Sequence, residues 1–268
     1  MKKNVLLLIM LIVLIISIII LIYIYREPKI PVLCYHNIAT FEEKNNFPSE
    51  EVWTIDVENF EEQLQYLQKN NYKTLTMKEF TDWKSGELNL PFKSVLITFD
   101  DGFLSNYQYA FPLLKKYNMN ATVFIVGNFI ENGKEIWTGN LNDYMSLDLI
   151  EKSKQEYPNI EFYSHSYNMH YQGAIENLKE AEIESDIKEF NATVIENNDI
   201  YCYPFGAYTE KMLNALKNNE YKYAFVFGPT SKEYRKASKE DDNLLIPRLN
   251  ISSGMNINKF ALRLLLPF

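Results

Sequence analysis

Short apolar runs alternate with amphipathic stretches along most of this chain. "PVLCYHNI", "SVLITF", "ATVFIV", "IEFYSH", "IYCYPFG", "YKYAFVF" and "NLLIPRLNI" each read as a strand. Between them lie helical patterns. In "DVENFEEQLQYLQKNNY", Phe60, Leu64 and Leu67 recur at helical spacing behind a capping Asp56. "LSNYQYAFPLLKKYN" is helical with an internal proline, a helix lies near "SLDLIEKSKQ", and "AIENLKEAEIESDIKEFNATVIE" reads as one long amphipathic helix. "EKMLNALKNN" is another helix, whereas the polar "FEEKNNFPSEEVWT" reads as a loop. Strand and helix in alternation predict a parallel sheet with crossover helices, an α/β fold built as a distorted (β/α) barrel of about seven parallel strands.

The N-terminus breaks this pattern. Lys2 and Lys3 precede an apolar run from Val5 to Ile24 interrupted only by Ser17 and Tyr23. Twenty such residues rise about 30 Å as a helix, the thickness of a bilayer core. The run is longer than the core of a cleaved signal peptide and lacks a small-residue cleavage site. Residues 1–25 are therefore expected to form an uncleaved signal anchor, one transmembrane helix with its N-terminus in the cytoplasm. Residues 26–30 form a spacer, and 31–268 form one domain outside the cell membrane.

Composition adds little to this outline. The chain has 268 residues, 47% apolar and 23% charged, as in an ordinary globular protein. A net charge of −8 argues against nucleic acid as a partner. Cys34 and Cys202 lie in strand-like stretches and read as buried thiols, although an outside location also permits a disulfide.

The polar residues at the strand ends carry more. His36, Asp100, Asp101, His165 and the "YPFG" turn all fall at the C-terminal ends of predicted strands, where α/β folds place reactive groups. The chain has three histidines, two of them in "SHSYNMH". A helix would turn about 140° between His165 and His170, but a loop can bring both to one ion. Two imidazoles and one carboxylate leave an open position, the pattern of a catalytic zinc. Asp101 can supply that carboxylate, which leaves Asp100 as a base towards water. A cation also relieves the like-charge repulsion of the adjacent acids.

"TFDDG", "SHSYNMH" and "YPFG", in this order, resemble the polysaccharide deacetylases, the NodB-homology or carbohydrate esterase family four domain. The likeness extends from about Pro31 to Ile251. It implies a divalent metal, usually zinc, with cobalt, nickel, manganese or iron(II) as alternatives, and hydrolysis of N-acetyl groups on a polysaccharide. It implies Asp100 as general base, Asp101, His165 and His170 as metal ligands, and the Phe205 N–H as oxyanion donor, with Tyr203, Pro204 and Phe205 lining the substrate. The five-residue step between the histidines is similar to the branch acting on poly-β-1,6-N-acetylglucosamine, a biofilm polymer. Peptidoglycan, chitin oligomers, O-acetyl esters, or a binding role without catalysis stay open.

Two positions depart from the family pattern. Cys202 stands where an arginine usually orients the base; Arg248 in "IPRLNI" is the candidate replacement, or a structural ion pair, or a group facing substrate. No histidine follows His170, so the usual late proton donor is missing. His36 can be that acid, a group behind the ligands, or a core histidine. Of Tyr35, Trp53, Trp137, Tyr144, Tyr167, Tyr203 and Phe205, two or three are expected to form sugar-stacking surfaces.

Overall fold

The computed structural model describes residues 9–17, 27–171, 173–196, 198–227 and 235–266. Most of the expected anchor lies outside them. Residues 9–17 are helical, with Ile9 to Ile16 about half exposed. Among the described residues no helix is long and apolar enough to cross a membrane. The spacer already joins the fold: Ile30 is fully buried, and its N–H and C=O both pair with Ala237 at 2.8 Å.

Ten strands form. They are β1 (Val32–Tyr35), β2 (Asn37–Ala39), β3 (Thr54–Asp56), β4 (Lys73–Thr74), β5 (Ser94–Phe99), β6 (Ala121–Ile125), β7 (Ile160–Ser164), β8 (Ile200–Cys202), β9 (Tyr223–Phe225) and β10 (Leu249–Asn250). Seven make one curled parallel path, β10-β1-β5-β6-β7-β8-β9, with β4 also paired to β5. A parallel bridge between Phe225 and Ile246, just before β10, brings the two ends of the path together. The expected seven-strand curled α/β sheet is thus present.

Four local expectations change. "PVLCYHNI" breaks at His36 into β1 and β2, and β2 leaves the main sheet to pair with β3. The stretch expected as a loop contains helix Phe41–Asn45, closed by a Thr40–Glu43 capping box, and a 3₁₀ turn Pro48–Trp53. The long helix of residues 174–196 is two, Ala174–Asn177 and Glu180–Thr193, parted by extended backbone at Leu178 and Lys179. The helix with the internal proline widens to a π-turn at Asn106–Ala110 before Phe111–Lys116.

Alternation along the strands sorts the side chains. Val32, Leu96, Phe124, Ile200, Cys202, Phe225 and Ile246 share one core cluster inside the curl, which Phe80 and Trp83 of helix Met77–Ser85 close from the N-terminal side. The alternate residues Leu33, Tyr35, Val95, Ile97 and Phe99 face outward and pack with Phe60 and Leu64 of helix Val57–Lys69. Tyr201 and Tyr203 face outward against helix Glu210–Asn218. The interior is therefore apolar at one end and turns polar where the strands finish.

Candidate active site

At that polar end the strand parity of β5 carries Leu96 and Thr98 inward and then Asp100. Across the curl, the parity of Ile246 carries Arg248 inward too. The two meet in a two-pronged ion pair: Arg248 Nη1 donates to Asp100 Oδ1 at 2.6 Å and Nη2 to Oδ2 at 2.7 Å. Both residues are almost fully buried. Arg248 also donates from Nη1 to Thr98 Oγ1 at 3.3 Å and from Nε to Val226 O at 3.4 Å. Its guanidinium lies 5.6 Å from the Phe124 ring centre. Burial alone raises a carboxyl pKa, but Arg248, aided by His165 and His36, holds Asp100 well below the carboxylate range.

Two thiols complete this pocket. Cys34 Sγ lies 3.5 Å from Asp100 Oδ2, and Cys202 Sγ 3.9 Å from both oxygens. Both cysteines are free, and burial pushes both pKa values well up, so they are neutral thiols.

One residue on, the main partner changes, although His165 Nε2 also stays within 4.0 Å of Asp100 Oδ2. Asp101 adopts a left-handed backbone, φ 71°, which swings its side chain away from Arg248 and towards the histidines. His165 Nε2 is 3.5 Å and His170 Nε2 2.9 Å from Asp101 Oδ1. The His170 contact has the length of a hydrogen bond but not its direction, and the buried Oδ1 stays unpartnered. His165 Nδ1 donates to Cys202 O at 2.8 Å, which fixes the tautomer and leaves the Nε2 lone pair facing Asp101. Burial pushes the His165 pKa down to about 4, so the ring is neutral at physiological pH. Burial also opposes charge on His170, but Asp101 outweighs it and raises its pKa. In turn His170 outweighs burial at Asp101 and lowers its pKa. One oxygen and two ring nitrogens thus converge within 4.8 Å of one another. Their type, number and orphaned lone pairs suit a divalent cation with an open position.

Both aspartates and all three histidines line a cavity of about 240 Å³. Its walls are aromatic: Trp53, Phe103, Tyr144, Phe205 and Phe227, with Glu50 and Asn142 as further polar groups. His36 packs between Trp53 and Phe227, at 5.0 and 6.0 Å, with its Nε2 4.0 Å from Asp100 Oδ2. The Phe205 ring lies over His170 at 4.6 Å. Phe205 is half exposed and left-handed, φ 56°, on a turn that Gly206 makes possible; a Cβ at Gly206 would meet Phe227 O at 1.2 Å. A larger depression of about 700 Å³, lined by Lys188, Asn198, Lys222 and their neighbours, shares no residue with this cavity.

The expected site residues divide accordingly. Asp100, Asp101, His165, His170, His36 and Phe205 come together. Tyr203 and Pro204 do not reach the cavity as side chains. Tyr203 shares the outward parity of Tyr201, is fully buried, and donates its hydroxyl to Leu244 O at 3.0 Å. Pro204 is buried beneath the turn. Arg248 is buried beside Asp100 and does not line the cavity. Of the seven aromatic candidates, Trp53, Tyr144 and Phe205 line the cavity. Tyr35, Trp137 and Tyr167 donate to Gln63, Glu43 and Glu131 instead. Phe103, Phe227, Glu50 and Asn142 were not foreseen. Phe103 lies three residues beyond Asp100 and was in reach of the motif; the others arrive from loops that sequence spacing does not connect.

A curled parallel sheet with acids and histidines at its C-terminal rim describes a class of hydrolase, and the comparisons name the family. The family model described as Polysaccharide deacetylase matches residues 87–224, just over half of the chain. This chain belongs to the polysaccharide deacetylase family. The Bacillus subtilis protein named "Putative polysaccharide deacetylase YxkH" is 29% identical over 87% of this chain and 75% of its own. The poly-beta-1,6-N-acetyl-D-glucosamine N-deacetylase of Staphylococcus aureus (strain MRSA252) is 29% identical over 85% of this chain and 80% of its own. Among solved structures, the Streptococcus pyogenes deacetylase PplD in complex with acetate matches with a TM-score of 0.74 at 24% identity, over 89% of this chain and 99% of that one. IcaB from Ammonifex degensii matches with a TM-score of 0.66 at 22% identity, over 88% and 95%. At these identities the two structures speak for the fold.

Proposed function

We propose that this chain is a zinc-dependent N-deacetylase of poly-β-1,6-N-acetylglucosamine, anchored in the cell membrane with its catalytic domain outside and acting on a biofilm or envelope polymer. The observation that carries the reading is the division of two adjacent carboxylates: Asp101 faces His165 and His170, and Asp100 faces Arg248. Asp101, His165 and His170 would hold the ion. A bound divalent cation supplies positive charge against the acetyl carbonyl and makes water at its open position more acidic.

The rest falls to the chain's own groups. Asp100, kept ionised by Arg248, takes a proton from the attacking water. The Phe205 N–H donates to the oxygen that gains charge as water adds to the acetyl carbon. Departure of the sugar amine breaks the C–N bond and needs one proton, which His36 delivers from the cavity wall. Acetate and a free amine result. Trp53, Tyr144 and Phe205 give the sugar ring apolar faces and exclude water. Arg248, just before β10, replaces the guanidinium that Cys202 does not provide.

The polymer is supported by the staphylococcal relatives and by the five-residue histidine step, and the anchor by the exposed apolar side chains of residues 9–16. The full chain in detergent, loaded with zinc, is expected to release acetate from poly-β-1,6-N-acetylglucosamine faster than from peptidoglycan or chitin oligomers. Release from one of those others alone would overturn the polymer; release from none, with zinc bound, would make the chain a carbohydrate-binding protein. Protease added to whole cells should digest a C-terminal tag, and a protected tag would refute the outside location.

A further inference from the structure

His165 follows directly on strand β7 and His170 lies five residues on, a step that neither a strand nor an α-helix brings to one point. We propose that Asp186, on helix Glu180–Thr193, is a positioning residue for the metal site, and that its carboxylate holds the intervening loop in the shape that turns both imidazoles onto Asp101. The inference rests on the metal reading above, and its test is built to separate the two.

Both carboxylate oxygens of Asp186 are committed to the loop. Oδ1 accepts the Tyr167 N–H at 2.8 Å and Oδ2 the Asn168 N–H at 2.6 Å. Among the described residues no lysine or arginine forms an ion pair with Asp186. The opposite side of the loop is held as firmly. Gly127 N–H donates to Ser166 O at 3.0 Å and Asn128 N–H to Tyr167 O at 2.8 Å. The Asn128 side chain donates to Asn168 Oδ1 at 2.6 Å. Three consecutive residues, Ser166 to Asn168, are therefore gripped from two helices.

The grip is needed because the loop is strained. Ser166 is left-handed, φ 77°, a conformation that a non-glycine residue keeps only when its surroundings hold it. Tyr167 lies flat on Gly127, where an added Cβ would come within 2.3 Å of the ring. Without Asp186, the half-buried Tyr167 N–H and the exposed Asn168 N–H lose the acceptor that ties them to the helix, and the loop is free to relax towards a turn in which His170 leaves Asp101. Partners that orient ligands from behind typically change metal affinity by about 10- to 100-fold. Asp186 acts one step further back, on the backbone between two ligands.

The test uses the full chain, first free of metal and then titrated with zinc. Tyr167 and Asn168 amides should be protected from hydrogen exchange in the metal-free parent and unprotected in Asp186→Ala. Zinc affinity should fall about 10- to 100-fold in Asp186→Ala. With cobalt(II) as the ion, the visible absorption of Asp186→Ala should move towards that of His170→Ala. Asp186→Asn keeps one acceptor oxygen and should fall between, which also serves if the alanine variant does not fold. Equal zinc affinity and an unchanged cobalt spectrum in both variants would overturn the proposal. A parent with protected amides that binds neither ion would refute the metal reading and leave the loop clamp standing.

Discussion

Asp100 and Asp101 share a residue type and a peptide bond, yet they occupy opposite worlds. Asp100 points into the barrel and is locked to Arg248 and flanked by two neutral thiols. Asp101 turns out on a left-handed backbone and faces two histidines, with one oxygen unpartnered. One peptide unit and one sign of φ separate a satisfied carboxylate from an unsatisfied one. Environment, and not residue identity, assigns the work of each.

The largest effect should come from the satisfied side. Arg248→Met removes the guanidinium paired with the buried Asp100 carboxylate, and breaking such a pair costs about 3–5 kcal/mol. Denaturant unfolding is expected to show that loss. Arg248→Lys should restore little, because an ammonium cannot make the two parallel bonds. A variant as stable as the parent would mean the pair contributes nothing. Next, His36→Ala should lower kcat by about 10²-fold with zinc content unchanged. An unchanged kcat would return His36 to a packing role.

The two halves should also titrate apart. The His170 pKa is raised above its ordinary 6.5 by Asp101, so this pair stabilises the metal-free fold below 6.5 and the contribution fades as pH rises through the raised value. Zinc must displace that proton, so its affinity should rise over the same interval. Asp100 behaves oppositely: its pKa is depressed, so its stabilisation is present above the ordinary 3.8 and is lost as pH falls towards the lowered value. Thermal unfolding against pH, with and without zinc, reads both. Zinc binding that is flat from pH 6 to 8 would contradict the first.

The smallest effect concerns Tyr203, whose side chain does not line the cavity. Tyr203→Phe deletes one buried hydrogen bond to Leu244 O and should cost about 1 kcal/mol of stability without changing KM. A raised KM would put the hydroxyl back against substrate.

Much of this was legible before the fold was known. The apolar runs placed β1 and β5 to β10, and the polar residues at or just beyond their ends drew attention to the two aspartates and three histidines. Strand parity held the rest of the base pocket in plain view. Leu96, Thr98 and Asp100 share one face, Ile246 and Arg248 another, and Tyr201 and Tyr203 a third; only the order of strands shows that the first two face each other. That order is non-local, and no spacing in "IPRLNI" reveals that β10 lies beside β1. The loops were opaque for a related reason. Trp53 and Phe227 meet at 5.9 Å although 174 positions apart in number, and Asp186 reaches its loop from a helix whose own pattern is ordinary.

The most direct measurement compares Asp100→Asn with Asp101→Asn, both as full chains, for bound zinc by elemental analysis and for acetate release on the same samples. The division of labour predicts that Asp100→Asn keeps about one zinc per chain and loses about 10²- to 10⁴-fold in rate, whereas Asp101→Asn loses the metal itself. Zinc retained at parental affinity in Asp101→Asn, or lost in Asp100→Asn, would contradict it.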